Sequence, residues 1–392
     1  MTLTFITNYM THHQLPFCDE LYALLGKDFH FLATNRMEDE RIKMGWGAEL
    51  RDLPYALFYD DDYDLSHKLI RESDVVICGG THHSYIEERL VLHKLTFRYF
   101  ERLYKDGRIK AFIPSSYRQK KKEHTAYNDD PVYLLCAGAY VAADFDMFSG
   151  YKDKKLRFGY FPKFVKEDTD KLFESKSENV TEIMWSGRML DWKHPGAAVY
   201  TASYLKDRGV PFHMTIVGEG ECRERIDNAV KSKDLSSSVT VLDFEKPFEI
   251  RNRMEKSDIY LMTSDQKEGW GAVVNEAMNS GCAVVASHAA GAVPYLIKHG
   301  ENGLVYKSGD LRELASLTAG LCRDSGLRRR LGMAAYNTIE KEWNSHVAAV
   351  RLMEMSEKLL ADPGTDLSSV FHDGPMSVAP SLTVAKGYRY LR

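Results

Sequence analysis

Short runs of β-branched and other apolar residues recur along the whole chain, and stretches long enough for an amphipathic helix separate them. This alternation is typical of a parallel sheet built from strand–helix units, so the fold class is predicted to be α/β. The strands predicted in the first half cover residues 2–7, 30–33, 74–78, 110–113 and 132–136. Those predicted in the second half cover residues 182–185, 213–217, 239–243, 259–263 and 283–286.

The chain has 392 residues, which is too many for one hydrophobic core at about 150 residues per domain. Each half has enough strands for its own sheet, and the charged stretch 166–179 is interpreted as a linker with a short helix. We predict an N-terminal Rossmann-like domain over residues 1–165 and a C-terminal one over 166–345. A bridging C-terminal helix and a loosely packed tail are expected over 346–392.

Composition and charge exclude several classes of protein. The net charge of −4 argues against a nucleic-acid partner, which would need a concentrated basic surface. Six cysteines form no CxxC pair and several lie in or beside apolar runs, which indicates reduced, packed thiols. No apolar run approaches the length of about 18 residues that spans a membrane, and no basic region precedes Leu3. We therefore predict a cytoplasmic protein.

One short basic cluster comprises Arg118, Lys120, Lys121, Lys122 and His124. It is interpreted as a solvated loop. The alternative is a contact with a phosphate-rich acceptor or an anionic membrane surface, which would place the protein peripherally at the inner face of the membrane.

The most informative segment covers residues 264–303. A polar loop follows a predicted strand and leads into Gly269-Trp270-Gly271, after which a helix should begin near Ala272 and end at Gly281. The glycines at 269 and 271 remove side chains where a backbone approaches a ligand closely, and the helix that follows points free N–H groups toward it. This arrangement predicts an anion site.

Glu268 and Glu276 lie on either side of that predicted helix start. Carboxylates accept hydrogen bonds from hydroxyl groups, so a ligand with a central diphosphate and a hydroxyl-bearing ring at each end would fit between them. A nucleotide-sugar is such a ligand. Either residue alone would be interpreted as a loop residue or a carboxylate at the helix dipole, but the pair around Gly-Trp-Gly favours a functional site.

Glu268 and Glu276 form an E-x7-E motif, and an Ala-Met-x-x-Gly helix end, a Val-Val-Ala-Ser strand and a Gly-x-Asn-Gly turn follow in that order. This order resembles the donor half of retaining GT-B glycosyltransferases of family 4, the glycosyl transferases group 1 domain. The resemblance covers about residues 183–343. It implies two Rossmann-like domains facing each other across a cleft, the second binding the donor and the first the acceptor.

The resemblance also assigns roles to residues of the segment. It implies that Glu268 contacts the donor sugar and that Glu276 contacts the ribose. The main-chain groups that it assigns to the sugar and the diphosphate are those of Gly269, Trp270, Gly271, Ala272 and Val273.

Upstream, Gly187-Arg188 and the following Lys193 resemble the family's residues that hold the diphosphate, and Gly218 resembles its turn beside the nucleotide. An arginine and a lysine at the end of a strand can neutralise a departing diphosphate, so no metal and no cofactor are expected. The predicted catalytic residues are Glu268, Arg188 and Lys193. Glu268 is expected to position the sugar while the acceptor attacks from the face that the diphosphate leaves, and a covalent role for Glu268 is the alternative.

The first half lacks a clear match to the family. Two clusters, His12-His13-Gln14 and His82-His83, follow predicted strands and should lie at the rim that faces the ligand crevice of an open parallel sheet. We interpret them as hydrogen-bonding groups for acceptor or donor-sugar hydroxyls, with plain structural roles as the alternative. A metal site is disfavoured because adjacent histidines do not point the same way.

Together these features predict a retaining hexosyltransferase that uses a UDP- or GDP-sugar and a glycan or lipid-linked acceptor. The resemblance alone suggests bacterial surface polysaccharide biosynthesis. A nucleotide-sugar epimerase of the same architecture is one alternative, and it would need acid and base groups from both domains. A non-catalytic nucleotide-sugar binding protein is the other, and it would tolerate the loss of Glu268.

Overall fold

The computed structural model describes residues 1–38, 52–107, 111, 113–176 and 180–392. The chain divides into two compact units. Unit 1 comprises Met1–Lys163 and Glu342–Leu382, and unit 2 comprises Phe164–Lys341 and Thr383–Arg392. The segment 346–392 is therefore shared between the units rather than forming one body.

Unit 1 is built on a parallel sheet whose seven described strands have the order β3-β2-β1-β4-β5-β6-β7. Leu3 of the first strand pairs with Phe29 of the second and with Val75 of the fourth, which fixes the register at the centre. The strands are β1 (Leu3–Thr7), β2 (Phe29–Ala33), β3 (Ala56–Phe58), β4 (Val75–Gly79), β5 (Thr96–Phe100), β6 (Val132–Ala137) and β7 (Lys155–Phe158).

Several helices of unit 1 start where the sequence supplies a cap or a proline. Pro16 lies in the first turn of α1, and the Asp62 carboxylate accepts the N–H of Leu65 at 3.0 Å at the start of α2. The described helices are α1 (Leu15–Leu25), α2 (Tyr63–Glu72), α3 (Glu87–Val91), α4 (Pro114–Thr125), α5 (Val141–Asp146), α14 (Ser345–Ala361) and α15 (Leu367–Val370).

Unit 2 has a second parallel sheet, with six described strands in the order β10-β9-β8-β11-β12-β13. The strands are β8 (Thr181–Ser186), β9 (Phe212–Val217), β10 (Val239–Leu242), β11 (Ile259–Met262), β12 (Ala283–Ser287) and β13 (Leu304–Tyr306). The described helices are α6 (Thr169–Glu174), α7 (Gly196–Lys206), α8 (Arg223–Ser232), α9 (Pro247–Lys256), α10 (Val273–Asn279), α11 (Val293–Leu296), α12 (Leu311–Arg323), α13 (Ser325–Lys341) and α16 (Val384–Leu391).

Each unit has its own hydrophobic core along its sheet. Ile6, Leu32 and Val76 belong to the core of unit 1, and all five residues of β4 are buried. Strand β12 is likewise buried over its whole length in unit 2. Strands covered on both faces have near-continuous apolar sequences, which is why these runs were recognisable.

In both sheets the strand order reverses beside the first strand of the unit, between β1 and β4 and between β8 and β11. Ligands of open parallel sheets bind at such a reversal, in the crevice beyond the carboxyl ends of the strands. The α/β class is confirmed, and the topology itself indicates where a site should lie in each unit.

Nine of the ten predicted strands are confirmed, and the strand predicted at 110–113 is not found at the two of its residues that the structure describes. Residues 110 and 112 lie outside the described residues, and Ala111 and Ile113 are not in a strand. Strand β5 occupies the place beside β4 instead, and Arg98 at its centre interrupts the apolar pattern that identifies a strand. The other strands that the sequence did not reveal, β3, β7 and β13, are short strands at sheet edges.

Two further expectations are corrected. The basic cluster lies on helix α4 rather than in a loop, and His124 of that cluster is buried. The tail is not loosely packed, because Met376 and Ser377 are buried and the Arg157 N–H donates to the Ser377 carbonyl at 2.7 Å. The six cysteines are free thiols, as expected. Within the described part of the chain, no helix is both long and apolar enough to cross a bilayer.

The contact between α13 and the end of α10 generates a stability prediction. A Cβ added at Gly332 of α13 would lie 2.3 Å from the carbonyl oxygen of Gly281. We expect Gly332→Ala to lower the free energy of unfolding by about 2 kcal/mol, because the helix must move away. Gly320→Ala is the matched control, since this helical position has no atom within 4 Å and the change should raise stability by about 0.5–1 kcal/mol. Equal thermal midpoints for the two variants would contradict the prediction.

Candidate functional site

The site of unit 2 begins with the loop that leaves β8. A short 3-10 turn, Asp191–Lys193, follows the strand and ends at His194, which has the left-handed φ of 49°. This turn returns Lys193 to the end of the strand, where a Cβ on Gly187 would lie 3.5 Å from its Cδ atom. The stem of the lysine side chain therefore packs beside Gly187.

Lys193 and Glu268 meet across the reversal of strand order. The Lys193 ammonium donates to the Glu268 carboxylate at 2.7 Å, and the two side chains are only 17% and 13% exposed. The Ser264 hydroxyl donates to the same Glu268 oxygen at 2.9 Å. Two predicted catalytic residues, which are far apart in the sequence, thus form one partly buried ion pair.

Hydrogen bonds hold the loops after β8 and β11 together behind this ion pair. The Thr263 hydroxyl donates to the Lys193 carbonyl at 2.6 Å and accepts from the Trp185 indole at 2.7 Å. The Asp265 N–H donates to the Trp192 carbonyl at 3.0 Å. Burial opposes ionisation of Asp265, but hydrogen bonds from His194 and from a backbone N–H hold its pKa below the usual value. No pattern in the sequence singled out Thr263, which holds the Lys193 carbonyl in place.

Arg188 and Gly218 lie at the same rim. Arg188 is exposed just beyond the end of β8. Gly218 has a φ of 143°, and a Cβ on it would lie 2.0 Å from the carbonyl oxygen of Gly187. The close packing of two backbones thus requires a glycine here, whereas its contact with a nucleotide stays a prediction.

The Gly-Trp-Gly segment also depends on close approach. Gly271 has a φ of 96°, and a Cβ on it would lie 2.8 Å from the Met262 side chain and 3.2 Å from that of Glu268. The Ala292 N–H donates to the Trp270 carbonyl at 2.9 Å, and the Gly291 N–H donates to the Glu268 carbonyl at 3.2 Å. The loop after β12 therefore supports the loop that carries the predicted donor contacts.

Helix α10 begins at Val273, immediately after Ala272, and carries Glu276. Burial raises the pKa of Glu276 to about 7, although Arg251 acts in the opposite direction. Near neutral pH this carboxyl group is therefore present in both protonation states. It can donate as well as accept a hydrogen bond with a hydroxyl group.

The candidate residues of unit 1 cluster at the corresponding reversal, after β1 and β4. The rings of His12 and His13 lie 3.7 Å apart between centroids, and burial followed by the charge of His12 lowers the pKa of His13 to about 3. The side-chain Oε1 of Gln14 accepts the Thr11 N–H at 3.1 Å, which gives Gln14 a role in the turn.

The second histidine pair follows β4. His82 forms a hydrogen bond with the Ser84 hydroxyl at 2.8 Å, and His83 lies 3.1 Å from a Glu87 carboxylate oxygen. The two histidine pairs thus follow adjacent strands, and the second pair has local structural partners in Ser84 and Glu87. Their roles toward a substrate stay predictions.

Comparison with known proteins finds a family model that matches a segment of the second unit. Residues 167–338 match the family model described as Glycosyl transferases group 1. The amylovoran biosynthesis glycosyltransferase AmsK of Erwinia amylovora is 30% identical over 182 residues, which is 45% of this chain and 44% of that protein. The putative colanic acid biosynthesis glycosyltransferase WcaL of Escherichia coli K12 is 24% identical over 184 residues, 45% of each protein. The match covers about half the length of these curated relatives.

Solved structures resemble the chain over most of its length. HepE of Anabaena, solved in complex with UDP, gives a TM-score of 0.67 at 15% identity and covers 92% of this chain and 100% of that chain. Sucrose-phosphate synthase of Thermosynechococcus elongatus gives 0.61 at 14% identity, with coverage of 92% and 100%. These likenesses establish the GT-B fold. The resemblance seen in the sequence is confirmed for the group 1 domain and the fold, whereas family 4 and retention stay predictions.

The raised pKa of Glu276 predicts a pH-dependent stability. Below its usual pKa of 4.5 the carboxyl is protonated in both the folded and the unfolded state. Between pH 4.5 and about 7 the unfolded chain ionises this carboxyl while the folded protein keeps it protonated, so stability falls across this range and levels off above it. Wild type should therefore lose up to about 3 kcal/mol relative to Glu276→Gln between pH 4 and 8. Thermal midpoints across this range test it, with the exposed Glu224→Gln as control. A pH-independent difference would contradict the assignment.

Proposed function

We propose that the protein is a retaining glycosyltransferase of family 4 that moves a hexose from a UDP- or GDP-sugar to a glycan or lipid-linked acceptor in surface polysaccharide biosynthesis. The observation that carries the proposal is the Lys193–Glu268 ion pair of 2.7 Å at the reversal of strand order in unit 2. It lies within residues 167–338, which match a glycosyltransferase family model. HepE, which has the same fold, was solved with UDP, and this supports a UDP-sugar donor.

The ion pair suggests how the donor binds. A lysine ammonium is a compact charge that suits a phosphate group, so the diphosphate of the donor replaces Glu268 as the partner of Lys193. The Glu268 carboxylate then accepts a hydrogen bond from a hydroxyl of the sugar. In this proposal Gly187, Arg188 and Gly218 complete the rim on the β8 side, and Glu276 binds the ribose.

The transfer step follows from these positions. The acceptor hydroxyl oxygen forms a bond to the anomeric carbon on the face from which the diphosphate departs, and the bond between that carbon and the diphosphate oxygen breaks. The acceptor proton passes to the leaving diphosphate, and the configuration is retained. Lys193 and Arg188 stabilise the charge that develops on the diphosphate, and Glu268 holds the sugar in place. Because these two cations serve the leaving group, we propose that no metal and no cofactor are required.

The acceptor side is assigned to unit 1. His13 is neutral at physiological pH because of its low pKa, so it can exchange hydrogen bonds with sugar hydroxyls without bringing a charge. His12, Gln14, His82 and His83 remain the other candidates.

We further propose that helix α4 contacts anionic lipid at the inner face of the membrane. Arg118, Lys121 and Lys122 are exposed at positions that share one helical face, and none has an acidic partner among the described residues. Glu123, the acidic residue of this helix, lies instead 3.8 Å from buried Arg98. Ile113 precedes the helix and is 51% exposed. Three unneutralised cations beside an apolar side chain fit a surface of lipid phosphates.

The donor site is tested by thermal shift with UDP-, GDP- and ADP-sugars, followed by turnover and NMR of the product anomer. We expect one nucleotide class to stabilise the wild type, because a ligand of the native state must do so. Lys193→Met should lose most of this shift and lower kcat by about 10²-fold or more, through the loss of leaving-group stabilisation. Lys231→Met, an exposed lysine on α8, is the control.

The outcomes separate the alternatives. A product of retained configuration, formed equally in EDTA, agrees with the proposal. An altered sugar nucleotide without any acceptor would identify an epimerase, and a shift without turnover for any acceptor would identify a binding protein. No shift with any nucleotide in a folded sample would contradict the donor site.

The membrane contact predicts binding to vesicles of phosphatidylcholine that contain phosphatidylglycerol. Neutralising Arg118, Lys121 and Lys122 together with glutamine should weaken this binding about 100-fold, since each basic residue near an anionic surface contributes about 1 kcal/mol. The control replaces exposed Lys27, Lys68 and Lys152 of the same unit with glutamine, which removes the same charge elsewhere. Equal sedimentation of both variants, or equal binding to vesicles without phosphatidylglycerol, would refute a specific role for α4.

A further inference from the structure

A buried polar pair supports the Gly-Trp-Gly segment. The indole N–H of Trp270 donates to the side-chain carbonyl of Asn275 at 2.9 Å, and the two residues are 1% and 2% exposed. The amide nitrogen of Asn275 is buried and has no hydrogen-bond partner among the described residues. The Trp270 indole N–H is therefore hydrogen-bonded, whereas the amide N–H groups of Asn275 are bonded to no residue that the structure describes.

This arrangement is not the one that stability alone would favour. A buried donor without a partner costs its desolvation energy, whereas two apolar side chains of the same total volume would lose nothing. An apolar pair would thus hold the core at least as well. The hydrogen bond differs from apolar contact in being directional, so it fixes how the tryptophan ring is oriented.

The orientation matters because of the residues on either side. Trp270 stands between Gly269 and Gly271, and glycines allow neighbouring peptide groups to rotate at little cost. The Trp270 carbonyl is held by the Ala292 N–H at 2.9 Å, and the side chain is held by Asn275. These two anchors set the peptide planes of a segment whose Gly271 packs directly against Glu268.

We infer that Asn275 is a positioning residue for glycosyl transfer: through Trp270 it fixes the main-chain groups of residues 269–271 and the adjacent Glu268 against the donor sugar. The inference rests on the proposed function. Misplacement of catalytic groups by a fraction of an ångström lowers turnover strongly. Since the diphosphate and the ribose are bound by other groups, loss of the pair lowers kcat and leaves the KM for the donor largely unchanged.

The test is the double variant Trp270→Phe/Asn275→Leu in the full chain. It removes both polar partners. Leucine is larger than the asparagine that it replaces, so it fills space that is left when phenylalanine replaces the larger tryptophan. We expect a thermal midpoint within about 3 °C of wild type, a kcat at least about 10-fold lower, and a donor KM within about 2-fold. Each single variant leaves one polar group unpaired and should have a lower midpoint than the double variant.

A control separates stability from positioning. Thr318→Val removes the buried hydrogen bond from the Thr318 hydroxyl to the Leu314 carbonyl, at 2.8 Å on helix α12, and should lower the midpoint without changing kcat. A double variant with wild-type kcat and KM would overturn the inference while the proposed function stands. A rise in KM alone would overturn it too, since the pair would then serve binding only. If the wild type neither binds nor turns over any nucleotide-sugar, the proposed function fails and this inference fails with it.

Discussion

The contact between Lys193 and Glu268 depends on where two loops leave one sheet. Parallel order brings β8 and β11 side by side, although many residues separate them in the chain, and the loops after them open at the same edge. The ion pair closes the space between these loops, and Thr263 ties their backbones together through its 2.6 Å hydrogen bond. The glycines at 218 and 271 are needed because backbones and side chains approach too closely here for a Cβ. The proposed chemistry follows from this arrangement of one cation and one carboxylate.

The sequence predicted the parts of the fold that apolar burial specifies. Strand β12 was recognised because every residue is buried, whereas β5 was missed because Arg98 lies at its centre. At the site, Glu268 and Lys193 could be found since their motifs are local. Thr263 and Asn275 could not, because a threonine at a strand end or an asparagine in a helix has no distinctive pattern until the fold supplies its partner.

Electrostatics divide the two glutamates of the motif into different roles. Glu268 is paired with the Lys193 ammonium and accepts a hydrogen bond from the Ser264 hydroxyl. Burial instead raises the pKa of Glu276 to about 7. In the proposed reaction, the carboxylate held by the lysine exchanges partners when the donor diphosphate binds. A carboxyl near its own titration point can instead adapt to the ligand by gaining or losing a proton. The same residue type is thus held in two different electrostatic states by its surroundings.

The path of the chain between the units has a consequence for biosynthesis. Unit 1 is completed by residues 342–382, and the Arg157 backbone N–H of β7 donates to the carbonyl of Ser377. The ribosome delivers those residues only after the whole stretch 164–341 has emerged. Unit 2 can therefore assemble most of its core before residues 342–382 are available to pack against β7 at the edge of the first sheet. An unpaired β7 edge during that interval offers a surface for wrong strand pairing, so slow translation through unit 2 should increase the need for chaperones.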